Sequence, residues 1–120
     1  MRPRILLVNP PIYDFAAYDF WLRPYGLLSV AGPLRGKADF ALFDHLDRPL
    51  PPPNESDRWG RGRFRSERVN TPACLDAIPR YFHRFGAPRD NFRAFLAGHD
   101  AFDCVLIQTM MSYWYPGVQE

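Results

Sequence analysis

The aliphatic run Ile5 to Val8 stops abruptly at Asn9, Pro10 and Pro11, and few folds accommodate both halves of that pattern. Four consecutive aliphatic side chains with no polar alternation suit a strand covered on both faces, as in the middle of a parallel sheet. Proline lacks an N–H and fixes its own φ, so the ladder cannot pass through Pro10 and Pro11 and the chain must leave the sheet at Asn9. In an open α/β sheet, ligands bind in the crevice at the carboxyl ends of the strands. Residues from Asn9 onward therefore stand where a site is expected.

Two later stretches repeat the pattern. Asp39 to Phe43 is closed by Asp44 and His45, and Asp103 to Gln108 is followed by Thr109, Met110, Met111, Ser112 and Tyr113. Between the first two runs, Leu27, Leu28, Ala31 and Leu34 recur at helical spacing, with Pro33 bending or ending that helix near Gly32. Strand, helix and strand make a βαβ unit, which leads to an α/β, Rossmann-like fold of flavodoxin type, in three layers around a short parallel sheet. In that order the first strand lies between the other two, and the sheet breaks off after its third strand. Cys104 to Ile107 then forms an uncharged edge, so the fragment is expected to self-associate. Pro116 suits a first helical position.

The connecting segments are less regular. Asn9 to Pro24 reads as a long loop holding Tyr13, Phe15, Tyr18, Phe20 and Trp21, either a lid over the domain's own core or a surface for a flat ligand or partner. Residues 48–100 form an irregular and helical insertion. It opens on Arg48, Pro49, Leu50, Pro51, Pro52 and Pro53, and continues through Arg58, Trp59, Gly60, Arg61, Gly62, Arg63, Phe64 and Arg65. Arginine, glycine and aromatic residues together invite an RNA reading. Pairing of these arginines with Asp57, Glu67 or a neighbouring domain explains them equally simply, and a single basic cluster in a nearly neutral chain favours the pairing. Thr71 and Pro72 predict a helix start, with Cys74, Leu75, Ile78, Phe82 and Phe85 on one face, a bend at Pro79 and an end near Gly86. Tyr81, His83 and Arg84 then fall in its last turn. Pro88 predicts a second helix, carrying Phe92, Phe95 and Leu96 to a stop at Gly98.

Composition narrows the function. A chain of 120 residues, 47% hydrophobic, supports one domain over residues 1–120. A net charge of +2 is not the footprint of a nucleic-acid binder. Two cysteines, Cys74 and Cys104, fit neither a disulfide framework nor a zinc site and read as reduced structural thiols. No apolar stretch reaches membrane-spanning length and no signal pattern precedes the first strand, so a cytoplasmic protein without a membrane partner is expected. Gly26 and Gly32 do not build a dinucleotide fingerprint, and there is no phosphate-binding loop. His45 has no second ligand at metal spacing, and so reads as a hydrogen-bonded loop residue rather than a metal ligand.

Taken together, Ile5 to Pro11, Tyr25 Gly26 Leu27 Leu28, Phe43 Asp44, and Asp103 to Gly117 with its Ser112 Tyr113 Trp114 Tyr115 Pro116 Gly117 ending resemble the N-terminal cobalamin-binding domain of radical S-adenosylmethionine proteins. The resemblance covers the three strands and first helix; the arginine-glycine segment looks like a subgroup insertion. It implies a corrinoid lying across the carboxyl edge, against Asn9, Pro10, Pro11, Asp44, His45 and Thr109 to Tyr113. The Asp-x-His-x-x-Gly motif that supplies cobalt with a lower histidine ligand in classical cobalamin domains is absent, because the histidine follows Asp44 directly. Cobalamin is thus expected without a histidine ligand. The iron-sulfur cluster and S-adenosylmethionine of such enzymes belong to a barrel domain with a three-cysteine motif that this chain lacks, so the chain alone is not expected to catalyse. The rival expectation is a degenerate docking domain that binds no cofactor and uses its aromatic and arginine-rich segments as an interface.

Overall fold

The aliphatic run forms the strand its composition demands. β1 (Arg4–Asn9) is the centre of a parallel sheet, with Asp39–Asp44 on one side and Cys104–Ile107 on the other. The computed structural model describes residues 1–19, 23–47 and 62–120. After β1 come β2 (Ile12–Asp14), β3 (Tyr18–Asp19), α1 (Tyr25–Ala31), β4 (Asp39–Asp44), β5 (Gly62–Arg63), β6 (Ser66–Val69), β7 (Phe82–Phe85), α2 (Arg89–Ala97), β8 (Cys104–Ile107) and α3 (Tyr115–Gln119). Phe20, Trp21 and the segment 48–61, which includes Trp59 and most of the expected arginine-glycine run, lie outside the described residues.

Strand alternation turns Ile5 and Leu7 to one face of the parallel sheet and Leu6 and Val8 to the other. Ile5 and Leu7 cluster with Leu27 of α1 and Ala38, joined by Ala31, Leu34, Phe40 and Leu106. On the opposite face, Phe92 and Phe95 of α2 lie 4.9 and 5.1 Å from the Phe43 ring. Helices on both faces are the reason the run is uninterrupted, and each of the fully buried Ile5, Leu6, Leu7, Val8 and Leu27 side chains contributes about 1.5–3 kcal/mol by leaving water. As its sequence predicts, α1 stops at Ala31, and Pro33 sits in the first turn of a short 3-10 helix, Gly32–Leu34, where its missing N–H costs nothing. α2 and α3 also form where Pro88 and Pro116 place them.

The expected helix from Thr71 to Gly86 does not form. A single 3-10 turn, Ala73–Leu75, is followed by β7, which pairs antiparallel with β2 on one side and β6 on the other. The spacing of Cys74, Leu75, Ile78, Phe82 and Phe85 fits a helix, but Pro79 has no N–H for the helix interior. Gly86 takes a φ of 137°, a conformation open to glycine. Phe82 to Phe85 instead finds two strands to pair with, and tertiary pairing overrides the helical period. One of them, β2, lies inside the stretch expected to be loop: the chain passes from parallel to antiparallel sheet across Pro10 and Pro11 alone. Ile12, Leu46, Phe64 and Phe85 form the second core, packed against Ala17 and Trp114. Cys74 and Cys104 are free thiols, and both are exposed.

The architecture is therefore α/β with a mixed layout: a three-stranded parallel sheet between helices, an antiparallel sheet beside it, and a short ribbon of β3 and β5. Among the described residues no helix is long and apolar enough to cross a membrane.

Candidate functional site

The three parallel strands end in polar residues that come side by side. Asn9 and Asp44 are direct partners in the register of β1 and β4, and Gln108 N–H, just past β8, donates to the Val8 carbonyl at 2.9 Å. By alternation all three side chains fall on the α1 face. Asn9 Nδ2 donates to Asp44 Oδ1 at 2.8 Å, and the same oxygen accepts the Leu46 N–H at 2.9 Å, closing a turn that ends β4. Gln108 Oε1 lies 3.4 Å from the Leu27 N–H at the start of α1. A Cβ at Gly26 would stand 3.3 Å from that oxygen, a tight approach that the Gln108 side chain would relieve by a small shift.

His45 stands at the strand end, yet its ring turns away from the crevice to the α2 face, between Phe43 at 4.7 Å and Phe92 at 5.2 Å. Its Nδ1 is 2.9 Å from the Asn9 carbonyl, an acceptor only, so Nδ1 carries the proton. Burial holds the imidazole below its ordinary pKa; the Asn9 bond opposes that shift, and the charge of Arg84 adds to it. The site is locked from behind. Gly86 packs on His45, where an added Cβ would stand 3.0 Å from the His45 carbonyl oxygen, and that carbonyl accepts the Ala87 N–H at 2.7 Å.

Pro11 is buried and Pro10 half-buried, whereas Thr109, Met110, Met111, Ser112 and Tyr113 form an exposed shelf beyond β8. Met110 keeps 54% of its surface and Tyr113 49%. Between the shelf and the prolines, under Trp114 and Val118, the enclosed space is only about 20 Å³, room for about one water. Gln108, Trp114 and Val118 were not singled out in the sequence as site residues. Gln108 was legible, as the polar stop of the third aliphatic run in the same role as Asn9 and Asp44. Among the described residues no group of three or more His, Cys, Asp or Glu could hold a metal ion.

A second polar cluster lies on the antiparallel sheet. Arg84 of β7, only 2% exposed, makes a bidentate pair with Glu120, Nε to Oε2 at 2.7 Å and Nη2 to Oε1 at 2.6 Å, and its Nη1 donates to the Ala87 carbonyl at 2.6 Å. Tyr13, in register with Arg84, donates its hydroxyl to Glu120. Arg89 joins Glu67 at 2.6 Å and the Tyr13 oxygen at 3.2 Å. Burial pushes the Glu120 carboxyl up, but the hydrogen bonds from Arg84 and Tyr13 and the guanidinium charges outweigh it and hold the group below its ordinary value. Phe64, one of the rings that made the arginine-glycine segment attractive for RNA stacking, is buried in the second core. No protein-family model, curated protein or solved structure matches the chain.

Proposed function

We propose that the chain is the corrinoid-binding module of a radical S-adenosylmethionine protein, holding cobalamin across the open carboxyl edge of the parallel sheet with no side chain on cobalt. The observation that carries this reading is the alignment of Asn9, Asp44 and Gln108 behind the exposed shelf of Thr109 to Tyr113. A corrin is a broad, largely apolar plate rimmed with amides. Thioethers and a phenol ring suit the plate, and hydroxyls and backbone groups suit the rim. The donor set fits the periphery of the cofactor and not its metal, because His45 is enclosed by rings and bonded to Asn9. The enclosed space is far below the roughly 300–1,000 Å³ of a pocket that engulfs a ligand, so binding is one-sided and the other face of the corrin is left to a barrel domain. Cobalamin supplies organometallic and radical chemistry that side chains lack. The cluster and S-adenosylmethionine belong to that barrel, since two exposed cysteines on separate elements cannot supply a cluster's thiolates.

Mixing the purified protein with hydroxocobalamin should give co-elution on gel filtration and a changed visible spectrum. A folded His45→Ala variant should leave that spectrum nearly unaltered. Loss of binding in that variant would contradict the assignment of cobalt without a protein ligand. A second reading, a docking domain without cofactor, draws on β8, an outer strand of the parallel sheet among the described residues, where Val105 is 50% and Ile107 43% exposed. It predicts no uptake of hydroxocobalamin together with self-association in sedimentation.

A further inference from the structure

Part of the carboxyl edge of the parallel sheet is roofed. Beyond the shelf the chain makes a 3-10 turn, Ser112–Trp114, and returns as α3, so that Trp114 and Val118 close over Pro10, Pro11, Ile12 and Leu46. These two side chains are four positions apart, on one face of the segment. The space left beneath them is about 20 Å³.

What holds this cover down is polar and lies at its two ends. At one end Trp114 Nε1 donates to Asp14 Oδ2 at 2.8 Å; at the other, Glu120 accepts two bonds from Arg84, at 2.7 and 2.6 Å, and the Tyr13 hydroxyl. Asp14 and Tyr13 belong to β2 and Arg84 to β7, so the segment is fastened to the antiparallel sheet while it lies over the edge of the parallel one. Between the two clasps packing is thin. The buried residue of α3 is Gly117, set against the Pro11 carbonyl, whereas Tyr115 keeps 41% and Val118 37% of their surface. Tyr115 touches the exposed Cys74 thiol at 3.9 Å. A helix of 5 residues is too short to persist by itself, so the clasps decide where it lies.

We propose that Trp114 to Glu120 form a strap that opens as a unit and gates the carboxyl edge. Closed, it leaves the shelf of Thr109 to Tyr113 exposed and covers the proline turn; open, it adds Pro10, Pro11, Ile12 and Leu46 to the surface a ligand meets. Segments held by few buried apolar contacts open locally, at a free energy below that of global unfolding. A ligand favouring the open form binds with an apparent affinity reduced by the fraction that is closed, so loosening a clasp strengthens binding. The opening stands on the strap's own contacts, and its effect on a ligand rests on the corrinoid reading of this edge.

Tyr13→Phe loosens one clasp: it removes the hydroxyl bonded to Glu120 and Arg89 and keeps the ring and the Arg84–Glu120 pair. In native-state hydrogen exchange of the unaltered protein, the Trp114 and Glu120 amides, bonded to the Met111 and Pro116 carbonyls, should be protected at least about a hundredfold less than those of Ile5 to Val8 in β1. In Tyr13→Phe, exchange at Trp114 and Glu120 should rise together by about tenfold, the worth of one charge-assisted hydrogen bond, with Ile5 to Val8 unchanged. Apparent affinity for hydroxocobalamin should rise by about the same factor. Protection of α3 equal to that of β1, acceleration at Glu120 without Trp114, or no acceleration at all would each overturn the strap. The expected exchange with an unchanged hydroxocobalamin affinity would overturn its action as a gate. Uptake of hydroxocobalamin by neither protein would remove the corrinoid reading, with exchange still deciding the strap.

Discussion

Arg84 illustrates how little of a buried polar contact a sequence announces. In the expected helix it lay near the carboxyl end, where any cation suits the dipole; in the sheet it is enclosed, and its carboxylate partner is thirty-six positions away. Removing one member leaves the other charge without a partner, so Glu120→Gln should cost about 3 kcal/mol, the lower end of the range because the Glu120 side chain keeps 19% exposure. Arg84→Met combined with Glu120→Leu should recover most of that loss in urea unfolding, since an apolar pair needs no solvation. The pH dependence has two windows. His45 has a folded pKa below its unfolded value, so its contribution is present above about pH 6.5 and is lost as pH falls. Glu120 is shifted the same way, and its share disappears only below the ordinary carboxylate range. Unfolding measured at about pH 7.5 and about pH 5.5 should therefore differ, and the difference should shrink in His45→Gln.

Among the elements, the parallel strands were legible because an aliphatic run stopped by a polar residue has few other readings, and Asn9, Asp44 and Gln108 came with them. β7 was not legible. Phe82 and Phe85 satisfy a helical period as readily as they mark a strand, and what decides between the two is the presence of β2 and β6, which local spacing does not contain. α3 adds a requirement that only the packed structure reveals: a Cβ on Gly117 would fall 2.0 Å from the Pro11 carbonyl oxygen, so this helix rests directly on the backbone of the proline turn. Gly117→Ala should cost at least about 1–3 kcal/mol by forcing α3 away, with a shift in Trp114 fluorescence as its bond to Asp14 is lost. Gly32→Ala is the matched control. Nothing lies within 4 Å of its Cβ and its backbone is right-handed helical, so thermal unfolding should show it neutral or stabilised by about 0.4–1 kcal/mol.

For the molecule as a whole, the parallel register of β1 and β8 has a mechanical meaning. A chain held at Met1 and Glu120 is pulled at the amino end of β1 and beyond the carboxyl end of β8, so adjacent strands are drawn in opposite directions along their length. The bonds between them are loaded together in shear rather than opened one after another. α3 and the Arg84–Glu120 pair lie first in the line of force at the carboxyl end and should yield before the sheet does. Single-molecule stretching between these two points should show a minor early release followed by one dominant rupture. Attachment across β4 and β8, which peels the sheet from its edges, should meet much lower resistance.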